Sequence, residues 1–172
     1  MQEQLKRAEL AFTSASQDHQ PQLERLLHLW EGQRNGTALP SANNFAAFLL
    51  KPWLGNLATV AVMNGRFRVM SMGPVCVDIA GGSNVGRFID DCVAAPDRAA
   101  ALEPYRACVE QATPLFSNAA YTRPGYSRLT VHRLYLPCAD DGRSIDTLMI
   151  GVYPVDGRGV FGQAPPAPMS LV

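Results

Sequence analysis

Lysine is nearly missing from this 172-residue chain, net charge is missing altogether, and no apolar run is long. Each shortage excludes something. Lys6 and Lys51 are the only lysines among 15 basic residues, the arginines are scattered, and 15 acidic residues balance them. Without a basic patch, nucleic-acid binding is excluded as the main role, and no net field draws the chain to polyanions or acidic membranes. No apolar stretch approaches the ~20 residues that a membrane-spanning helix needs. The opening "MQEQLKRAELAF" is charged and amphipathic and lacks the apolar core and cleavage site of a signal peptide. The expected location is therefore cytoplasmic. Cys76, Cys92, Cys108 and Cys138 have no CxxC spacing and no nearby histidine. They read as reduced thiols serving as small buried hydrophobes, and no metal site is expected.

What is present is a globular composition, 47% hydrophobic and 17% charged, at a length that suits one domain. Residues 1–20 read as an extension with a weak helical pattern, and 156–172 as a flexible Gly/Pro-rich tail. Between them, Pro21 suits the first turn of a helix whose Leu23, Leu26, Leu27 and Trp30 form an apolar stripe, stopped by Asn35-Gly36. A second helix is expected in "LPSANNFAAFLLKPW", with Phe45, Phe48 and Leu49 on one side. Two β-rich runs then flank Asn64-Gly65, a dipeptide suited to a type I′ hairpin turn. Short helices broken by glycines occupy 74–93. A longer helix follows Pro96, with Ala101, Leu102, Tyr105, Cys108 and Val109 on its apolar face and Pro104 inside it. Three further strands are expected in "PLFSNAAYTR", "SRLTVHRLYLP" and "SIDTLMIGVYPV". The order fits an α+β domain, one antiparallel sheet with helices clasping one face and a concave space between them.

Four segments carry a family resemblance: "LLHLWEGQRNGTALPS", "GRFRVMSMGPVCVDIAGGSNVGR", the helix from Pro96 running into "ATPLFS", and "HRLYLPCADDGRSIDTLMIG". Together, over Leu23 to Val155, the chain resembles a bacterial subgroup of mostly stand-alone PAS-like proteins. It departs from that pattern at Ala42 or Asn43, at Ser83 and at His132. The resemblance implies a five-stranded antiparallel sheet with a helical crossover, preceded by N-terminal helices. It implies a sensory or regulatory module, not an enzyme, that binds a small ligand between sheet and helices and acts through a partner such as a kinase or regulator. Homodimers form in such proteins through the outer sheet face and the N-terminal helix, which makes Leu23, Leu26, Leu27 and Trp30 the expected interface.

A small, mostly apolar ligand is expected against Phe67, Val69, Val77, Phe88, Tyr105, Val109, Phe116, Leu134 and Ile150. His132 is the candidate polar anchor, pH switch or haem ligand if its strand face points inward; otherwise it is a satisfied core histidine. The sequence names no cofactor. The alternative is a ligand-free adaptor or dimerisation module working through the Leu23–Trp30 stripe. An enzyme is the third reading, and no nucleophile, base and acid assemble from neighbouring residues. "CADDG" reads as a turn centred on Asp141-Gly142. Asp90-Asp91 reads as solvated, because adjacent helical residues point about 100° apart. Gly81–Gly86 lacks the Lys-Ser/Thr of a phosphate loop and reads as an interhelical turn. Cys76 and Cys92 lack the sequence context of a flavin-adduct cysteine.

Overall fold

A computed structural model describes residues 20–121 and 129–155. The expected N-terminal extension, the tail and the turn at Pro124-Gly125-Tyr126 lie outside these residues. Helix α1 (Pro21–Gly32) starts with Pro21 in its first turn, where no intrahelical N–H is lost. Asn35 (φ 48°) and Gly36 (φ 82°) take left-handed conformations just past its end.

The second opening helix does not form as one piece. A 3-10 turn (Ala42–Asn44), a single-turn helix α2 (Ala47–Leu50) and a further 3-10 turn (Leu54–Asn56) replace it. The Ser41 hydroxyl accepts from the Asn43 N–H at 3.1 Å, a local bond that competes with helix propagation. Phe45 and Leu50 consequently turn inward, and Phe48 lies 75% exposed rather than beside Phe45.

Strands β1 (Leu57–Met63) and β2 (Arg66–Met72) form a hairpin over Asn64 (φ 51°) and Gly65 (φ 75°), the backbone that a type I′ turn demands. The crossover follows as α3 (Pro74–Ala80), α4 (Ile89–Cys92), a 3-10 turn (Ala95–Asp97) and α5 (Arg98–Gln111). Strands β3 (Leu115–Tyr121), β4 (Leu129–Cys138) and β5 (Thr147–Pro154) complete an antiparallel sheet in the order β2-β1-β5-β4-β3.

Helices cover both faces of this sheet, not one. On the first face α1 and the following turns bury Leu23, Leu26, Trp30, Phe45 and Trp53 against Leu134, Leu136, Cys138 and Met149. On the second, the crossover buries Cys76, Ile79, Leu102, Tyr105 and Cys108 against Val60, Phe67, Tyr135, Leu148 and Ile150. Leu23 and Leu26 are fully buried, Trp30 is 3% exposed and Leu27 is half-buried. The stripe expected to be an interface is therefore packed on its own sheet, leaving Glu24, Arg25, His28 and Glu31 outward on α1.

Polar contacts fix the docking. Trp30 Nε1 donates to the Pro137 carbonyl at 2.9 Å and Trp53 Nε1 to that of Gln22 at 2.7 Å. Asn56 Nδ2 donates to the Val152 carbonyl at 2.8 Å, and the Ala139 N–H to that of Pro40 at 2.9 Å. The helix comes this close because Gly151 has no side chain. A Cβ there would lie 2.6 Å from Leu23 Cδ2 and 3.0 Å from Leu26 Cδ2. Gly151→Val is expected to destabilise the fold by about 1–3 kcal/mol, the usual cost of overpacking. Urea unfolding followed by tryptophan fluorescence measures it, and an unchanged midpoint would refute the tight docking.

Candidate functional site

Between the second sheet face and the crossover lies a cavity of about 1190 Å³. Its sheet wall carries Val60, Val69, Ile150, Val152 and Arg133, and its helical wall carries Cys76, Ile79, Ile89, Tyr105 and several alanines. The alanines (80, 94, 100, 101 and 107) explain the space, since the helices approach the sheet with side chains too short to fill it. Pro104 also lines the cavity inside α5. Having no N–H, it cannot pair with the carbonyl of Ala100 one turn earlier, so this stretch of helical wall is less regular than a normal α-helix.

The ten expected ligand contacts divide. Val69, Tyr105, Phe116 and Ile150 border the cavity. The Phe116 side chain packs with the cluster under α1, so it meets the cavity only at the edge strand. Phe67 and Val109 belong to the core under the crossover without lining the space. Val77 is a half-buried residue of α3 that does not line it. Phe88 is taken up elsewhere, with the Arg66 guanidinium 3.9 Å above its ring.

His132 and Leu134 lie on the wrong face. Leu134 is buried beneath α1, and His132 Nδ1 sits 2.8 Å from Asn118 Oδ1 on the neighbouring strand. The geometry therefore corrects the expectation for His132 as anchor: it is a hydrogen-bonded histidine outside the cavity. Strand parity is the reason. Val131, Arg133 and Tyr135 face the crossover, and both parities of β4 are apolar enough to hide which one does. Sequence reasoning missed Arg133 and Tyr135; counting register from Gly151, opposite Leu134, would have found them.

A polar clasp ties α4, whose Ile89 and Cys92 line the cavity, to β2. Arg66 Nη2 lies 2.8 Å from Asp90 Oδ2 and 3.0 Å from Asp91 Oδ2, so the two carboxylates share one partner at the solvent surface. The α4 segment is a single turn, short enough for both to bend toward Arg66. The Arg66 guanidinium holds the Asp90 carboxyl below its usual range. Beside the clasp, the Val69 N–H donates to Arg87 O at 2.9 Å and the Gly86 N–H to Val69 O at 2.8 Å, which covers the edge of β2.

None of the cysteines is disulfide-bonded. Burial pushes the Cys76 thiol up to about 11 and those of Cys108 and Cys138 up to about 12, far from the range of a nucleophile. Among the described residues, no three His, Cys, Asp or Glu side chains gather as a metal-binding group, and no helix is long and apolar enough to cross a membrane. At the tip of the β4–β5 loop, Asp141 Oδ1 accepts from the N–H groups of Arg143 (2.8 Å) and Ser144 (2.6 Å), so "CADDG" is turn chemistry.

No family model and no curated protein matches the chain. Solved structures do. A LOV protein from Rhodobacter sphaeroides is 13% identical with a TM-score of 0.48, and the match covers 60% of each chain. The PAS domain of Bordetella pertussis BvgS is 15% identical with a TM-score of 0.47, over 62% of this chain and 81% of that one. A domain of an HTR-like protein from Haloarcula marismortui is 21% identical with a TM-score of 0.42, over 57% and 94%. The five-stranded antiparallel sheet, with the helical crossover between β2 and β3, is the arrangement that the sequence resemblance implied. The fold is PAS-like. Within this PAS-like domain the cavity lies between crossover and sheet.

Two outcomes test the site. Arg66→Ala is expected to speed amide hydrogen exchange at Val69 and Gly86 while leaving the centre of β4 protected; uniform exchange would show that the clasp does not hold α4 to β2. Thiol labelling of the folded protein at pH 8, read by mass spectrometry, is expected at Cys92 first, the one half-buried cysteine. Equal labelling of all four would contradict the buried placement of the others.

Proposed function

We propose that this chain is a cytoplasmic sensory domain, not an enzyme, that holds a small, mostly apolar ligand between its crossover helices and its sheet. It passes the state of that site to a partner protein such as a kinase or regulator, as a homodimer. The supporting observation is the cavity of about 1190 Å³, walled by Val60, Val69 and Ile150 of a sheet whose other face is already filled and by Ile79 of α3. A space of this size and apolar lining suits a small molecule better than a catalytic centre. His132 lies outside the cavity, and burial pushes the Cys76 thiol in its wall up to about 11.

The adaptor reading depended on the Leu23, Leu26, Leu27 and Trp30 stripe. With three of the four residues buried under their own helix, a partner would have to lift α1 from the sheet to reach them. The ligand-binding reading needs no such opening and is preferred.

Ala107 lines the cavity from α5 and is half-buried, so Ala107→Trp fills the space from its wall with little disturbance to the core. Native mass spectrometry of protein purified from its host is expected to reveal a retained small molecule in the wild type and none in Ala107→Trp. A wild type that carries no ligand, with no thermal shift across a broad metabolite screen, would refute the sensory reading.

A further inference from the structure

One phenol in the cavity wall has a proton and nothing to give it to. Tyr105 belongs to the core under the crossover, lines the cavity and is only 9% exposed. Its ring is held from two sides: the Tyr135 ring meets it edge-on at 5.1 Å, and the Phe67 ring lies 5.2 Å away at a tilt of 44°. Its hydroxyl makes no hydrogen bond with any described residue. The oxygen nonetheless keeps some open surface, and for a side chain this deep the open space beside it is the cavity. Buried tyrosine hydroxyls ordinarily find a partner. Other polar side chains in or behind the wall already have theirs. The Tyr135 hydroxyl accepts from Arg133 Nη1 at 2.8 Å, Asn118 Oδ1 sits 2.8 Å from His132 Nδ1, and Asn84 Oδ1 accepts from Arg87 Nη1 at 3.3 Å.

We propose that the Tyr105 hydroxyl is the polar anchor of the cavity and that its ligand is an uncharged molecule, an apolar body carrying a carbonyl oxygen. This rests on the ligand-binding reading above and adds the ligand's chemical class. A phenol can donate or accept, and burial pushes that of Tyr105 above its ordinary range, so it keeps its proton at neutral pH. What it lacks is an acceptor. A carbonyl oxygen offers two lone pairs and brings no proton that would need a second partner. Because the ring is already fixed between Phe67 and Tyr135, little side-chain freedom is lost when the bond forms. An ionised ligand fits less well. Its charge would be set against Val60, Val69 and Ile150 at a high desolvation cost. The Arg133 guanidinium is already engaged, and the exposed Asp97 and Glu103 on the helical side disfavour an anion.

Equilibrium dialysis of the full chain against 2-acetylnaphthalene, 2-ethylnaphthalene and 2-naphthoate tests the assignment. The ketone and the hydrocarbon share a shape and differ in the carbonyl, and the carboxylate carries a charge in its place. Wild-type protein is expected to bind the ketone and the hydrocarbon, and to bind 2-naphthoate more weakly than the ketone. Tyr105→Phe keeps the ring and is expected to weaken the ketone about fivefold, the size of one neutral hydrogen bond, while leaving the hydrocarbon unchanged. If Tyr105→Phe fails to fold by circular dichroism, infrared spectra of the wild type decide alone. The carbonyl stretch of bound 2-acetylnaphthalene is expected below its position in hexane, and an unshifted band overturns the assignment. An equal change for ketone and hydrocarbon in Tyr105→Phe, or no change for either, overturns Tyr105 as the anchor while the apolar cavity stands. Tighter binding of 2-naphthoate than of the ketone overturns the uncharged class. Binding of none of the three overturns the ligand-binding reading with it.

Discussion

Everything in this domain depends on the close approach of α1 to the sheet at Gly151. A residue with any side chain there would meet Leu23 and Leu26, the two most deeply buried residues of the helix. Because the approach is close, one face of the sheet is sealed by residues 21–57 of the same chain, with Trp30 and Trp53 each tied to a backbone carbonyl. Buried indole N–H groups need such partners, so the two bonds fix where the helix sits as well as how tightly. The sheet is left with a single face on which anything else can happen.

On that face the opposite condition holds. The crossover approaches through alanines and a mid-helix proline, and the wall it builds does not fill the space in front of Val60, Val69 and Ile150. Close packing on one face and incomplete packing on the other come from the same sheet. The contrast lies in the side chains of the covering helices: leucines and a tryptophan on α1, alanines along α5. The Arg66 clasp and the Gly86–Phe88 pairing then hold the thin part of the crossover against β2.

Much of the fold was legible residue by residue. Asn64-Gly65 announced its turn because left-handed backbone is tolerated there and in few other dipeptides. Pro21 and the Leu23–Trp30 spacing announced α1, and Asp141-Gly142 its loop. The opening segment around Phe48 was misread, because an apolar periodicity of three or four residues cannot indicate whether a helix propagates beyond one turn. Asp90 and Asp91 stay at the solvent surface as expected, but they share Arg66, because a one-turn helix does not hold consecutive residues to ideal angles.

The candidate site was only half legible, and for one reason. A strand with one wet face displays its orientation as alternation, as Arg66, Phe67, Arg68 and Val69 do. Strands β4 and β5 are covered on both faces, so their sequences are apolar at both parities and the alternation disappears. The sequence by itself determined the order of elements, the turns between several of them and the apolar faces of α1 and α5. Only the tertiary structure decided that His132 and Leu134 look toward α1 while Arg133 and Tyr135 look toward the crossover. Which side of a doubly covered strand faces which helix is set by pairing register across the sheet, and register is a property of the neighbours as much as of the strand.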